Sequence, residues 1–100
     1  MDQVAWGWLE CDVASGLFET ERSVTIRVSQ ELGSASIVLT VDRQLVKSEH
    51  EVRRGEHTRG RVRVLPVRRD NDGSLTVLLP VQSVEYGSYV AVPAESLVTA

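Results

Sequence analysis

The sequence predicts an all-β protein with a single domain over residues 1–100, built as a six-stranded antiparallel meander that forms a small barrel or a two-sheet roll. Valine dominates the apolar residues, and its branched Cβ packs better on a pleated strand than in a helix. Apolar and polar residues alternate in several segments, which is the pattern of strands with one buried face. Clusters of Gly, Asn, Asp and Ser separate these segments, as expected for turns.

Alternation locates the strands in chain order. It is clearest over residues 23–29, where every even position is apolar and every odd position is polar. A polar connection, residues 48–60, divides the chain in the middle, and Pro93 ends the last strand. Residues 94–98 then form at most one short helical turn near the C-terminus. The predicted strands are 3–13, 17–29, 35–47, 61–69, 74–84 and 89–92.

The segment Asp-Asn-Asp-Gly at residues 70–73 predicts a hairpin, because these residue types tolerate positive φ. A loop with an even number of residues, which places Arg69 opposite Ser74, also puts Val64 opposite Leu79. Apolar side chains then share one face of the hairpin and polar side chains the other. An odd loop would mix the faces, so the even loop is predicted. Both prolines within strand patterns, at positions 66 and 80, predict edges or bulges, since proline cannot donate to a ladder. A bulge near position 66 would place Val67 on the apolar face.

Positive charge is concentrated in one segment of an otherwise acidic chain. The net charge is about −5 over residues 1–52, +6 over 53–69 and −4 over 70–100. Within the basic segment, arginines recur at period two, which places them about 6.5–7 Å apart on one strand face. Arginine binds carboxylates and phosphates through paired hydrogen bonds. These side chains form either a solvated face that pairs with the protein's own acids or a surface that binds a partner. In the second case the predicted binding residues are Arg54, Arg59, Arg61, Arg63, Arg68 and Arg69.

An acidic protein or peptide is the partner that this segment favours. The net charge of −3 and the pI near 5.3 mean that the rest of the protein repels a polyanion. No aromatic residue is interleaved with the arginines in the sequence, although binding of single-stranded nucleic acid commonly uses aromatic stacking. Nucleic-acid binding is therefore the alternative hypothesis.

The pair Trp6 and Trp8 falls on one face of the first strand, with Gly7 between the two indoles. Two interpretations stay open at this point: the indoles belong to the core, or they form an exposed platform for a ligand or another subunit. Val38 and Leu78 also place bulky groups on faces that one small core cannot bury. Trp6, Trp8 and Leu78 are thus the candidate apolar interface, and homodimerisation is the commonest way to cover such faces.

Catalytic and cofactor-binding motifs are lacking in the sequence, including the nucleophile elbow, the phosphate loop and the dinucleotide fingerprint. Cys11 lies between two acids that disfavour a thiolate, so it is interpreted as a small buried residue. His50 and His57 do not have the spacing of a metal motif. We expect no cofactor and no metal ion, and the sequence favours a binding protein over an enzyme.

The single cysteine excludes an internal disulfide and fits a reducing compartment. The first residues lack the pattern of a signal peptide, and no apolar run reaches the roughly 18–20 residues that cross a bilayer. The sequence therefore predicts a small cytoplasmic protein-interaction module that self-associates and has no membrane partner.

Overall fold

The computed structural model describes residues 6–30 and 33–98, and it confirms the all-β fold. This part of the chain contains eight strands and two single turns of 3₁₀ helix. The predicted strand at 3–13 begins outside the described residues. The strands are β1 (Gly7–Ser15), β2 (Glu21–Gln30), β3 (Gly33–Asp42), β4 (Val46–Ser48), β5 (His57–Arg69), β6 (Leu75–Ser83), β7 (Gly87–Val92) and β8 (Leu97–Val98).

Two short helical turns interrupt the strands. The predicted turn after Pro93 is present as Ala94–Ser96. A second turn, Arg43–Leu45, was not predicted and divides the expected strand 35–47 into β3 and β4. Asp42 caps this turn, because its carboxylate accepts a hydrogen bond from the Gln44 N–H at 2.8 Å. A local cap therefore ended a segment whose apolar pattern alone would continue as a strand.

The strands form one antiparallel sheet in the order β3-β2-β1-β5-β6-β7, which curls into a half-barrel. The order departs from a meander at one place, because β5 pairs with β1 instead of β3. This pairing extends over eight residue pairs, from Gly7 opposite Val64 to Ala14 opposite His57. The short β4 pairs with the other edge of β5, and β8 pairs with β1. Strand β5 is consequently shared by both halves of the sheet.

The core lies on the concave side of the half-barrel, where β7 packs against β2 and β6 packs against β3. Every second residue of β1, β2 and β3 is buried over most of their length. Alternation assigned the inward positions of β2 and β3 correctly, whereas for β1 it left the buried face open. Removing one such aliphatic side chain from water stabilises the fold by about 1.5–3 kcal/mol. The buried apolar residues are Leu9, Cys11, Val13, Val24, Ile26, Val28, Ile37, Leu39, Val41, Val62, Val64, Val77, Leu79, Val90 and Val92.

The hairpin between β5 and β6 has an odd loop, so the predicted even loop was wrong. Asp70 and Ser74 close the loop through a backbone hydrogen bond of 2.8 Å, and Gly73 adopts φ +88°. A bulge between Pro66 and Arg68 then adds one residue to β5 and brings Leu65 opposite Leu78. The predicted pairing is recovered beyond the bulge, because the extra residue offsets the odd loop.

Two further details of the hairpin differ from the prediction. Val67, expected on the apolar face, is 51% exposed, because the bulge directs it outward. The predicted register, continued along the strands, would place Val62 and Arg61 opposite β6, but β4 occupies that edge of β5 at these positions. The bulge at Pro66 and the irregular register around Pro80 agree with the prediction for both prolines.

Two carboxylates organise this hairpin. Asp70 accepts hydrogen bonds from the Thr76 hydroxyl at 2.8 Å and from Arg68 Nε at 3.0 Å. These bonds, with a further one from Ser74, lower the pKa of Asp70 below its ordinary value. Asp72 accepts from the Ser74 hydroxyl and the Ser74 N–H, and the same bonds lower its pKa. Both groups favour the folded state only in their charged form.

Acid should therefore weaken the fold through this hairpin. The contribution of each carboxylate is present above its unfolded pKa, about 3.9, and is lost as the pH falls through the lower folded value. Asp70→Asn removes one titrating group, so its melting temperature should fall less steeply between about pH 5 and pH 3 than that of the wild type. Thermal melts monitored by circular dichroism measure this slope. Gln82→Ala, at an exposed position of β6, removes no titrating group and is the control that should keep the wild-type slope; equal slopes for all three proteins would contradict the assignment.

Gly60 is the point where β1, β4 and β5 meet. It pairs with Cys11 on one side and Ser48 on the other. A Cβ at this position would collide with the Lys47 carbonyl oxygen and would lie 2.7 Å from Val13 Cγ2. Since the carbonyl belongs to the backbone of a paired strand, it cannot rotate away. The sequence therefore needs glycine here for close strand approach.

Gly60→Ala should lower the free energy of unfolding by about 1–3 kcal/mol, which corresponds to a melting temperature lower by roughly 5–15 °C. Gly7→Ala is the matched control in the same sheet, because the nearest atoms to its Cβ are the movable ends of Leu97 and Pro66. Denaturant titration of both variants measures the difference. A loss at Gly60 no greater than at Gly7 would show that β4 can shift to accept the methyl group.

Candidate functional site

The outer face of β1 and β5 brings together residues that are about fifty positions apart in the chain. Trp8 lies opposite Arg63, Glu10 opposite Arg61, and Asp12 opposite Arg59. These side chains point away from the core, because the alternating positions of both strands are buried beneath them. The predicted row at period two, Arg59, Arg61 and Arg63, is thus present as a row of exposed side chains on one strand face.

Both indoles lie on this outer face, so the interpretation that they belong to the core is wrong, while a platform for a ligand or another subunit stays a prediction. Trp6 is 47% exposed, Trp8 is half-buried, and neither belongs to the buried core. Trp8 is held between two strands, with Arg63 of β5 on one side and Val98 of β8 on the other. The backbone of Trp8 is therefore paired on both sides.

Cations stack on the indoles. The Lys47 ammonium lies 4.4 Å from the centroid of the Trp8 ring, and the Arg63 guanidinium lies 5.0 Å from the centroid of the Trp6 ring. Both distances are within the range of cation–π attraction. Interleaving of aromatic and basic residues is thus present across strands, although the linear sequence shows none within the arginine run. Sequence reasoning missed it because it requires the register of β1 on β5.

Acidic side chains compensate one end of the arginine row. Glu10 Oε2 lies 3.5 Å from Arg59 NH2, and Asp12 lies opposite the same arginine. Within residues 6–30 and 33–98, no carboxylate forms an ion pair with Lys47, Arg61 or Arg63. The uncompensated positive charge is therefore at the end of the face that holds the tryptophans.

The other three predicted arginines lie away from Arg59, Arg61 and Arg63. Arg54 lies in the connection between β4 and β5, and it lines an open groove with Leu17 and Phe18 of the β1–β2 loop. Arg68 is bound to Asp70 in the hairpin, and Arg69 ends β5 beside it. Ten residues separate Arg59 from Arg69, which is about 33 Å along a strand. The structure thus brings three of the six arginines together and separates the rest.

An apolar surface continues from the tryptophans across the sheet. A shallow depression of about 270 Å³ is lined by Trp6, Leu45, Arg63 and Pro80. Leu65 follows two positions after Arg63 on β5 and pairs with Leu78, the third predicted interface residue. Leu78 is half-buried and pairs in turn with Tyr89, which is 58% exposed.

We name this outer surface the tryptophan–arginine face, and its residues are Trp6, Trp8, Lys47, Arg61, Arg63, Leu65, Leu78 and Tyr89.

The inner face offers no reactive thiol. Cys11 is 7% exposed, and burial together with the negative charge of Asp12 raises its pKa to about 12. His50 and His57 are exposed, and among the described residues no cluster of three His, Cys, Asp or Glu side chains could hold a metal ion. The distinctive chemistry of the described surface is therefore aromatic and cationic contact on the tryptophan–arginine face.

Cys11 should react with thiol reagents only when the protein opens. At pH 8 a pKa of about 12 leaves about one thiolate in ten thousand. Labelling of the native protein by 5,5′-dithiobis(2-nitrobenzoic acid) should therefore be at least about a hundredfold slower than labelling in denaturant. Because the raised pKa favours the folded state only below the unfolded value of about 8.5, stability should also fall as the pH rises from there toward 12. Equal labelling rates in native and denaturing buffer would contradict burial of this thiol.

Comparison with known proteins found no family model, no curated protein and no solved structure that matches this chain. Over residues 6–30 and 33–98, no helix is long and apolar enough to cross a membrane.

Proposed function

We propose that this protein is a binding module that recognises another protein through the tryptophan–arginine face. The observation that carries the proposal is the position of two cations, Lys47 and Arg63, on two partly exposed indoles of an outer sheet face. Tryptophan, tyrosine and arginine are the residues most enriched at binding hot spots. Here they share one surface with Leu65 and Leu78.

The charge distribution supports a partner that carries carboxylates beside apolar side chains. Among the described residues, Lys47, Arg61 and Arg63 are the cations of the face that form no ion pair with a carboxylate, and Arg63 is two positions from Leu65, where the apolar row of Leu65, Leu78 and Tyr89 begins. An acidic group over the cations and an aliphatic group over the depression beside Pro80 would satisfy both halves of the surface. A mixed acidic and apolar peptide segment has this chemistry.

The same geometry gives nucleic-acid binding one argument that the sequence did not offer, namely aromatic rings beside basic side chains. Two features favour protein over nucleic acid. Glu10 and Asp12 lie opposite two of the three arginines, so a continuous polyanion that follows the row would meet like charge, whereas a short acidic segment can contact the tryptophan end alone. Lys47 and Arg63 also cover ring faces on which a base would stack.

Intrinsic fluorescence provides a direct test, since Trp6 and Trp8 are the only tryptophans of the chain. The probe is an unlabelled, end-capped peptide of alternating glutamate and leucine. We expect its addition to change the tryptophan emission with saturation in the micromolar range, and Arg63→Glu to weaken binding at least about tenfold. Binding should also weaken as salt is raised, because the charged contacts are partly exposed.

Arg69→Glu is the matched control, because it reverses the same charge on the same strand outside the face. It should bind the peptide as the wild type does. A ten-nucleotide oligouridylate serves as the competing probe. No saturable change with the peptide, or equal losses for the Arg63 and Arg69 variants, would overturn the proposal. Tighter binding of the oligouridylate than of the peptide, lost in the Arg63 variant, would overturn it in favour of nucleic acid.

A further inference from the structure

Strand β3 ends the strand order on one side of the sheet. It pairs with β2 through ten consecutive residue pairs without a bulge, from Glu21 opposite Asp42 to Gln30 opposite Gly33. In an antiparallel pair, every second residue directs its N–H and C=O away from its partner. Within residues 6–30 and 33–98, no further strand pairs with that outward edge of β3. An edge of this length is a template for another strand.

The usual protections of an edge strand are lacking in β3. The strand has no proline, its register has no irregularity, and Asp42 at its last position is its only charged residue. The strand at the other end of the order, β7, is protected differently: it has six residues, its register with β6 is irregular, and Pro93 follows it. Natural proteins keep open edges short, bulged or charged to prevent pairing. The contrast makes β3 the edge of the described sheet that is suited to pairing with another strand.

Side chains on β3 fit such pairing on both faces of the sheet. Ile37, Leu39 and Val41 are buried in the core, and the positions between them are exposed. Val38, at the middle of the strand, is 65% exposed and has only polar neighbours at positions 36 and 40 on its own strand. A cross-strand contact at this position would remove the isolated valine from water.

We propose that β3 pairs antiparallel with β3 of a second copy of this chain, so that the two sheets continue into one. A two-fold axis perpendicular to the sheet gives antiparallel pairing and closes the assembly as a dimer. Centred on Val38, the axis places the two Val38 side chains opposite each other. It also places residue 36 opposite residue 40 of the second copy, with a polar side chain at each.

Charge makes a second copy a suitable occupant, although each chain carries a net charge of −3. In the register centred on Val38, Asp42 lies opposite residue 34 of the second copy. The two Asp42 carboxylates are then eight residues apart along the strand direction, which is about 26 Å and beyond the screening length at physiological salt. Residues 34–41 carry no charge, so the two distant Asp42 carboxylates are the only charges within the paired segment.

This inference does not depend on the tryptophan–arginine face. Strand β2 lies between β3 and β1, so the edge of β3 is separated from the face by a full strand. A dimer formed through β3 would carry two such faces. Linking two binding faces in one particle raises the apparent affinity for a repeated or multivalent partner without any new contact.

Sedimentation velocity of the full chain at about 10–200 μM tests the proposal. The expected result for the wild type is a species of twice the chain mass of 11.1 kDa. Val38→Lys should raise the dimer dissociation constant at least about tenfold, because two lysines would lie about 5 Å apart across the axis. The double variant Ser36→Lys/Thr40→Lys places lysines of the two copies directly opposite each other at two positions and should act in the same direction.

Thr25→Lys is the matched control, because Thr25 lies opposite Val38 on the neighbouring strand of the same sheet. Its two lysines would be about 14 Å apart in the dimer, three strand spacings, and the dimer should persist. Arg63→Glu should also remain dimeric, which separates failure of the edge from failure of the tryptophan–arginine face. Circular dichroism confirms that each variant is folded.

Hydrogen exchange of the backbone amides tests whether the edge of β3 is paired in the dimer. In the dimer, the outward amides of β3 should exchange more slowly than in the Val38→Lys monomer, and the amides of β7 should not change. A monomeric wild type at 200 μM would overturn the proposal. It would also be overturned by dimeric Val38→Lys and Ser36→Lys/Thr40→Lys variants, or by a dimer without added protection in β3.

Discussion

The pairing of β1 with β5 is the constraint on which the rest of this structure depends. Strand β5 is the longest in the fold, and its first half pairs with β1 and β4 while its second half pairs with β6. Every other strand is joined to the sheet directly or indirectly through this pair. Because side chains alternate along both strands, one register fixes the inward row of Leu9, Val62 and Val64 and the outward row of Trp8 and Arg63. A shift of one residue would exchange the two rows.

This constraint needs close backbone approach and a change of direction in the same strand. Gly60 provides the first, since no Cβ fits between β4 and Val13. The bulge at Val67 provides the second, because it bends β5 away from β1 and toward β6. The half-barrel follows from these two features, as one strand cannot belong to both halves of a strongly curved sheet without a break in its pairing.

The outer surface follows from the same register. Charges of opposite sign meet at one end of the outer surface of β1 and β5, where Glu10 lies opposite Arg61 and Asp12 lies opposite Arg59. Exposed ion pairs of this kind contribute about 0–1 kcal/mol to stability, so their main effect is on the electrostatic potential at the surface that a partner approaches. The other end keeps its cations on the indoles, and there the surface has both charge and apolar area to offer.

The sequence by itself determined the all-β class, the inward residues of most strands, the hairpin at residues 70–73 and the irregularities at both prolines. Each of these depends on local chemistry: alternation, turn residues, or the missing N–H of proline. The even loop was wrong because a bulge and an odd loop offset each other, and the sequence gives no direct sign of both. Asp42 likewise ended a strand through a cap that the apolar pattern does not reveal.

Only the tertiary structure decided which strands are neighbours, and with them the composition of the candidate site. Trp8 and Arg63 are fifty-five residues apart, and nothing local distinguishes pairing of β5 with β1 from pairing with β3. For the same reason the sequence could not say that Arg54, Arg68 and Arg69 lie away from the other three arginines. Periodicity tells which residues share the face of one strand, whereas contact between strands depends on how the whole sheet closes over a single core.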